Sequence, residues 1–119
     1  MVKQTLRDFF LGFIKIHILY HAAKEPIYGQ KFSDELKRHG YEISFGTLYP
    51  IFHKLEGKGL LISKIKNVNG KNRKYYTITK KGNDVLNEAR IQAKELVAFA
   101  SALSSTLQCS ERVSLSSLA

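Results

Sequence analysis

Apolar positions recur along the chain with different periods, and each period predicts a different kind of element. From about Leu6 to Ala23 they cover most of a helical surface, which predicts a first helix buried against more than one neighbour. This helix is expected to end at Glu25-Pro26, because the residue before a proline is pushed out of the α region. A short extended piece, Ile27-Tyr28, then leads to Gly29 and a second helix of about ten residues.

The third helix has the clearest helical period. Its apolar residues recur at i, i+3, i+4 and i+7, and they are Leu48, Ile51, Phe52 and Leu55. Ser44 or Gly46 is the expected N-cap, and a cap near Gly46 would keep Pro50 close to the first turn, where a proline costs least. The opposite face is polar and carries Thr47, Tyr49, His53 and Lys54.

The second half of the chain predicts a hairpin and a long helix. Two β-branched and aromatic runs, residues 60–68 and 72–79, flank Asn69-Gly70, a turn pair that favours a two-residue hairpin loop. Thr79 is the expected cap of a last helix that runs to about Ser104. Its apolar residues repeat at intervals of three and four, as in a heptad seam, and they are Leu86, Ala89, Ala93, Leu96, Ala100 and Leu103.

These elements predict a mainly α fold with a small β-hairpin. A helix pair joined by a tight turn and followed by a hairpin is a winged helix-turn-helix, here over residues 1–78. A C-terminal helix follows over residues 79–104, and residues 105–119, rich in serine and without clear periodicity, are expected to form a flexible tail.

The distribution of charge along the chain indicates the kind of partner that the fold binds. The chain carries 19 Lys and Arg against 10 Asp and Glu, a net charge of +9. Eight of these basic residues and no acidic one lie between Lys58 and Lys81, around the hairpin. Lysines on an exposed hairpin also protect an edge strand from aggregation, but that purpose does not require acids to be excluded. The charge pattern and the helix pair together predict binding to double-stranded DNA.

Within this module the residues divide by role. The hairpin cations are expected to contact phosphates, and the polar side chains of the third helix to face base edges or nearby phosphates. The start of the second helix is expected to bind the DNA backbone. Tyr49 packing against the hairpin stays open as an alternative. The predicted DNA-binding residues are Tyr28, Gln30, Ser44, Thr47, Tyr49, His53, Lys54, Lys64, Lys66, Lys71, Arg73 and Lys74.

The long last helix predicts a homodimer. A helix of about 25 residues is roughly 37 Å long, more than three short helices and a hairpin can cover. The alternative is that it folds back on its own domain. The predicted interface combines the seam, Leu86, Ala89, Ala93, Leu96, Ala100 and Leu103, with Phe9, Phe10 and Phe13 of the first helix. A two-fold dimer would place two recognition helices about 34–36 Å apart, which predicts a palindromic operator.

Several motifs in a fixed order carry a family resemblance. They are Tyr28-Gly29, Gly46-Thr47-Leu48-Tyr49-Pro50, Lys54-Leu55-Glu56, Gly59-Leu60-Leu61 and Arg73-Lys74-Tyr75-Tyr76-Thr77-Ile78-Thr79, followed by Gly82 and Leu86. Over roughly residues 10–100 the chain resembles the PadR-like transcriptional regulators, in particular their smaller subgroup with one terminal helix. The resemblance implies a dimeric repressor whose C-terminal helix forms the dimer. It also implies that a small-molecule or stress signal releases the repressor from DNA.

Other function classes find little support in the sequence. The one cysteine, Cys109, allows neither an intrachain disulfide nor a cysteine-based zinc site, which fits a cytoplasmic protein. His17 and His21 have a metal-ligand spacing but no completing carboxylate, so no metal or other cofactor is expected. No catalytic constellation predicts an enzyme. The apolar stretch 9–23 is shorter than the roughly 20 residues of a membrane span, so no membrane partner is expected.

Two binding functions remain as alternatives to a sequence-specific regulator. A winged helix can also serve as a protein-interaction module, although such a surface should expose apolar anchors. A non-specific architectural DNA-binding protein would need the same cations but no preferred sequence.

Overall fold

The structure, a computed structural model, describes residues 2–118 of the chain and the side chains of residues 2–103. Its elements are α1 (Val2–Lys24), α2 (Gly29–Arg38), α3 (Phe45–Gly57), β1 (Leu61–Val68), β2 (Lys71–Ile78) and α4 (Lys80–Leu118). This order confirms the predicted three helices, hairpin and long helix. The chain divides into two compact units at Leu86, so the first turns of α4 belong to the N-terminal unit.

Helix α1 is longer and less buried than expected. It begins at Val2 rather than near Leu6, and only its C-terminal half enters the core, through Ile14, Ile18, Leu19 and Ala22. In the N-terminal half Leu6 and Phe9 are 63% and 64% exposed, while Phe10 and Leu11 are half-buried against the core. The prediction of burial on several sides was therefore wrong for the face of this half that carries Leu6 and Phe9, whereas Phe10 contacts the Tyr41 ring at 5.4 Å.

Helices α2 and α3 form the predicted helix-turn-helix. Gly40, with a φ of 85°, lets the chain turn after α2, and the Ser33 hydroxyl donates to the Ile43 carbonyl across the turn at 3.2 Å. The N-cap of α3 is Ser44, whose hydroxyl accepts from the Thr47 amide at 3.3 Å. The alternative cap at Gly46 was wrong, and Pro50 therefore lies in the second turn, inside the helix.

The hairpin has the predicted turn and makes a single bridge to the segment before α2. Asn69 and Gly70 both have positive φ, 52° and 80°, as a two-residue loop of this kind requires. The strands pair antiparallel from Leu61 opposite Ile78 to Val68 opposite Lys71. In the extended piece before α2, Ile27 exchanges two backbone hydrogen bonds with Tyr76 of β2, at 2.7 and 3.0 Å.

Helix α4 begins where the sequence predicted. The Thr79 hydroxyl accepts from the Gly82 amide at 3.0 Å and caps the helix. Gly82 lies against the Leu60 carbonyl and has no room for a side chain. The helix does not end near Ser104 but continues to Leu118. The side chains of the tail predicted over residues 105–119 lie outside the described part of the chain.

One apolar core joins α1, α2, α3, the hairpin and the start of α4. The residues buried in it are Ile14, Ile18, Leu19, Ala22, Ile27, Phe32, Leu36, Leu48, Ile51, Phe52, Leu55, Leu60, Leu61, Tyr76 and Leu86. Leu86 was predicted to belong to the dimer interface, and this was wrong. Its side chain is only 1% exposed within its own chain, so it has no surface left to offer a partner.

Candidate nucleic-acid interface

The outer face of α3 carries a row of aromatic rings. Phe45, Tyr49 and His53 follow each other at intervals of four residues, which places them on one side of the helix. Their ring centroids are 5.7 Å apart for Phe45 and Tyr49 and 4.5 Å for Tyr49 and His53. Thr47 is half-buried beside them, and its hydroxyl lies 3.1 Å from that of the capping Ser44.

The hairpin collects its cations on one face. In an antiparallel pair, directly opposite residues and those two positions away point to the same side. Lys66 pairs with Arg73 and Lys64 with Tyr75, so both lysines share a face with Arg73 and, two positions on, with Lys71. The described side chains of this face carry no acid, and Tyr75 lies under the Lys66 ammonium at 5.5 Å. This cationic face of the hairpin therefore attracts anions.

Lys74 points to the opposite side of the hairpin. It forms an ion pair with Glu56 of α3 at 3.5 Å, and Glu56 also accepts a hydrogen bond from the Ser63 hydroxyl. The bond from Ser63, with the charge of Lys74, lowers the pKa of Glu56, so this carboxylate stays ionised. Lys74 therefore joins the hairpin to α3 and is less available to a phosphate than the other predicted cations.

The start of α2 meets the cationic face. The Arg73 guanidinium lies over the Tyr28 ring, 4.8 Å from its centroid, and the Tyr28 and Tyr75 rings are in edge contact at 5.2 Å. This stack holds Arg73 in place while leaving it partly exposed. Gln30 is exposed, but its amide already donates to the Asp34 carboxylate at 3.1 Å.

A cleft of about 360 Å³ connects these three elements. Of the predicted DNA-binding residues, its walls include Tyr28, Gln30, Tyr49, Lys71, Arg73 and Lys74. Ser44 lines a shallow groove with Gln30, His53 and Lys54 line a separate groove on the α1 side of α3, and Lys64 and Lys66 share the hairpin face of Arg73. The structure therefore brings most of the predicted residues to neighbouring surfaces of one unit.

Sequence reasoning missed two residues of this interface. Phe45 is the first residue of α3 and lines the cleft, but the unresolved choice of N-cap hid its position in the helix. Glu56 was quoted only as part of a motif, although it fixes Lys74. Its position on the inner side of α3 near the hairpin became visible only once the two elements were packed together.

The predicted dimer residues differ in exposure. Phe9 is exposed, Phe13 is 38% exposed, and Phe10 packs partly against the core. On α4, Ala89 and Ala93 are half-buried, and Leu96 and Leu103 are 51% and 52% exposed. The exposed apolar side chains of α4 extend beyond the predicted seam, since Ile91, Val97 and Phe99 are also exposed.

The histidine pair of α1 lies in an aromatic environment. His17 is in edge contact with Phe13 at 4.5 Å and stacks on His21 at 5.8 Å, and its Nδ1 is buried without a hydrogen-bond partner. Burial lowers the pKa of both histidines, which favours their neutral forms. Within residues 2–103, no three His, Cys, Asp or Glu side chains are grouped as metal ligands would be.

None of the helices, over the part of the chain that is described, combines the length and the apolar composition that a membrane span needs.

Comparison with known proteins points in one direction. The model of the transcriptional regulator PadR-like family matches residues 18–88. The transcriptional regulator Rv3488 of Mycobacterium tuberculosis is 43% identical over 91 residues, which cover 76% of this chain and 85% of that protein. Two crystal structures are similar in both sequence and fold. A PadR family transcriptional regulator from Eggerthella lenta is 34% identical with a TM-score of 0.73, covering 86% of this chain and 90% of its own. A PadR-like regulator from Bacillus cereus is 31% identical with a TM-score of 0.71, covering 77% and 91%.

Proposed function

Because the chain belongs to the PadR-like family of transcriptional regulators, we propose that it is a homodimeric repressor of a palindromic operator. In this proposal a small-molecule or stress signal releases the protein from DNA. DNA-binding regulation is the activity of the family. The operator symmetry, the dimer, the repression and the release are the parts that experiments must test. A DNA-binding regulator must share a compartment with the chromosomal DNA, and this requirement agrees with the cytoplasmic location predicted from the sequence.

The cationic face of the hairpin is the observation that supports DNA binding best. Lys64, Lys66, Lys71 and Arg73 share this face, and Arg73 is held on the Tyr28 ring at the start of α2. Each phosphate that they neutralise would release a counterion, which supplies affinity for any duplex. The hairpin would therefore fix the protein on the backbone without selecting a sequence.

The outer face of α3 is the part proposed to select the sequence. An α-helix fits the major groove, about 12 Å wide, where each base pair presents a distinct pattern of donors, acceptors and methyl groups. Thr47 offers a hydroxyl and a methyl group, while Tyr49 and His53 offer a polar atom on an aromatic ring. Tyr49 lines the cleft together with Lys71 and Arg73, so a duplex held by these cations would lie next to α3.

The exposed apolar residues of α4 support the dimer. Leu96 and Leu103 each leave about half of their surface in water in the single chain, 51% and 52%. Exposed large apolar side chains in such number on one helix mark an interaction surface. A second copy related by a two-fold axis would cover them and would place two α3 helices on one face of the duplex.

Selection of bound sequences from randomised duplex DNA, at near-physiological salt, tests this function. We expect enrichment of an inverted repeat whose half-sites are about one helical turn apart. Recovery of no preferred sequence would contradict a sequence-specific regulator and would favour the architectural alternative. If no duplex were retained at any salt concentration, the protein-docking alternative would be favoured.

Repression and release need a separate test in cells. The enriched sequence is placed between a promoter and a reporter gene, and the protein is supplied from an inducible plasmid. We expect reporter output to fall on induction and to recover when a panel of stresses or small molecules includes the signal. Increased output on induction would contradict repression, and a repressed level that no condition changes would contradict the release mechanism.

A further inference from the structure

Phe45 is a large apolar side chain at an exposed position. It is the first residue of α3, and 48% of its surface is accessible. It is not part of the buried core. The fold therefore leaves half of an aromatic ring in water at the N-terminal end of the helix proposed to enter DNA, the end that contacts base edges in helix-turn-helix proteins.

The ring of Phe45 is held firmly. On one side it lies against the Cα atom of Gly29, where a side chain at residue 29 would clash with Phe45 Cε2 and approach Cδ2 to 3.1 Å. On the other side it contacts Tyr49, with 5.7 Å between ring centroids. Gly29 and Tyr49 thus fix the ring orientation, so little side-chain entropy would be lost when the exposed edge meets a ligand.

Phe45 lines the cleft between α2, α3 and the hairpin. The same cleft is lined by Lys71 and Arg73 of the hairpin, which are proposed to bind phosphates. A duplex held by these cations would bring base edges to the start of α3. Phenylalanine has no hydrogen-bonding atom, so the feature of a base that it can recognise is an apolar one. In the major groove that feature is the C5-methyl group of thymine.

We propose that Phe45 determines specificity by packing on the methyl group of one thymine in each half-site. This inference rests on the proposed function and adds to it the chemistry of one position in the operator. It differs from a purely structural role, in which Phe45 would only support α2 and α3 through Gly29 and Tyr49.

The test replaces thymine by deoxyuridine, which differs only in lacking the methyl group. The duplex enriched in the selection is synthesised with deoxyuridine at one symmetric pair of thymines at a time, and each dissociation constant is measured by fluorescence anisotropy. For the native protein we expect one pair to weaken binding by about fourfold per half-site, and therefore by about 15-fold in the measured dissociation constant, the effect of leaving two methyl groups unburied.

The same series with Phe45→Ala and Phe45→Leu isolates the residue. We expect Phe45→Ala to bind the thymine and deoxyuridine duplexes equally well, and Phe45→Leu, which keeps an apolar side chain, to retain part of the discrimination. Melting temperatures and circular dichroism of both variants verify the fold. If Phe45→Ala is destabilised, the comparison of Phe45→Leu with the native protein on the thymine and deoxyuridine duplexes tests the proposal instead.

Each other result overturns the inference. If deoxyuridine leaves the dissociation constant unchanged at every thymine pair, Phe45 does not recognise a thymine methyl group. If Phe45→Ala discriminates as well as the native protein, another residue reads the methyl group. Both results leave sequence-specific binding intact, so they are distinguishable from failure of the proposed function, in which no duplex would be enriched at all.

Discussion

Replacement of Arg73 by alanine should remove a phosphate contact without disturbing the fold. Arg73 lies on the outer face of the hairpin, is partly exposed, and is held by the Tyr28 ring at 4.8 Å. The core side of β2 is occupied by Tyr76, which is 3% exposed and is left unchanged by the substitution. The expected loss is therefore one of affinity for DNA and not of stability.

The magnitude follows from the number of cations on this face. Lys64, Lys66, Lys71 and Arg73 in two protomers make about eight phosphate contacts, which predicts a slope of about −7 for the logarithm of the association constant against that of salt concentration. Arg73→Ala removes two contacts and should flatten the slope by about 1.8. At about 0.15 M salt this change corresponds to a loss of about 30-fold in affinity, similar for operator and scrambled DNA.

Fluorescence anisotropy over a range of salt concentrations measures both quantities. Lys94→Ala is the matched control, because it removes the same charge from an exposed position on α4 and should leave the slope unchanged. Arg73→Lys should keep the slope and lose a few-fold in affinity, since an ammonium stacks less well on Tyr28. An unchanged slope for Arg73→Ala, or an equal effect of Lys94→Ala, would refute the assignment of the hairpin as the phosphate-binding element.

Three other predictions concern stability and assembly. Gly82→Ala should lower the free energy of unfolding by about 2 kcal/mol, because the added methyl group clashes with the Leu60 carbonyl. Gly12→Ala, with nothing within 4 Å of the added methyl group, should raise the free energy of unfolding by about 0.5–1 kcal/mol. Urea denaturation measures both values, and equal effects would contradict the close contact of Gly82 with Leu60. Leu96→Glu should give monomers in sedimentation, and an unchanged oligomer would exclude this part of α4 from the interface. The pKa values of His17 and His21 are lowered by burial, so the unfolded chain takes up protons first as the pH falls. The free energy of unfolding should therefore decrease as the pH falls from about 6.5 through the lowered pKa values, and replacing both histidines by asparagine should flatten this dependence.

Local patterns in the sequence were sufficient for most of the fold. The period of Leu48, Ile51, Phe52 and Leu55 gave the buried face of α3, and Asn69-Gly70 gave the hairpin turn, because both signals depend on residues close together in the chain. The same reasoning failed for Leu86. A heptad spacing places this residue on one side of a helix, but it does not say whether that side meets a partner or the chain's own core.

The candidate site was predictable as a set of residue types but not as an arrangement. The run of hairpin cations gave the charge of the surface, yet only the strand register separates Lys74, paired with Glu56, from the four cations of the outer face. The position of Phe45 in the helix depended on the choice of N-cap, because Ser44 as the cap makes Phe45 the first residue of α3, on the same side as Tyr49. Contacts between distant segments decided both points.

The specificity ratio tests the central claim most directly. The dissociation constant of the native protein is measured, at near-physiological salt, for the duplex enriched by selection and for a scrambled duplex of the same composition. A sequence-specific regulator should bind the enriched duplex at least about 1,000-fold more tightly. Equal affinity for the two duplexes would contradict the account, since the cationic face would then bind DNA without α3 reading it.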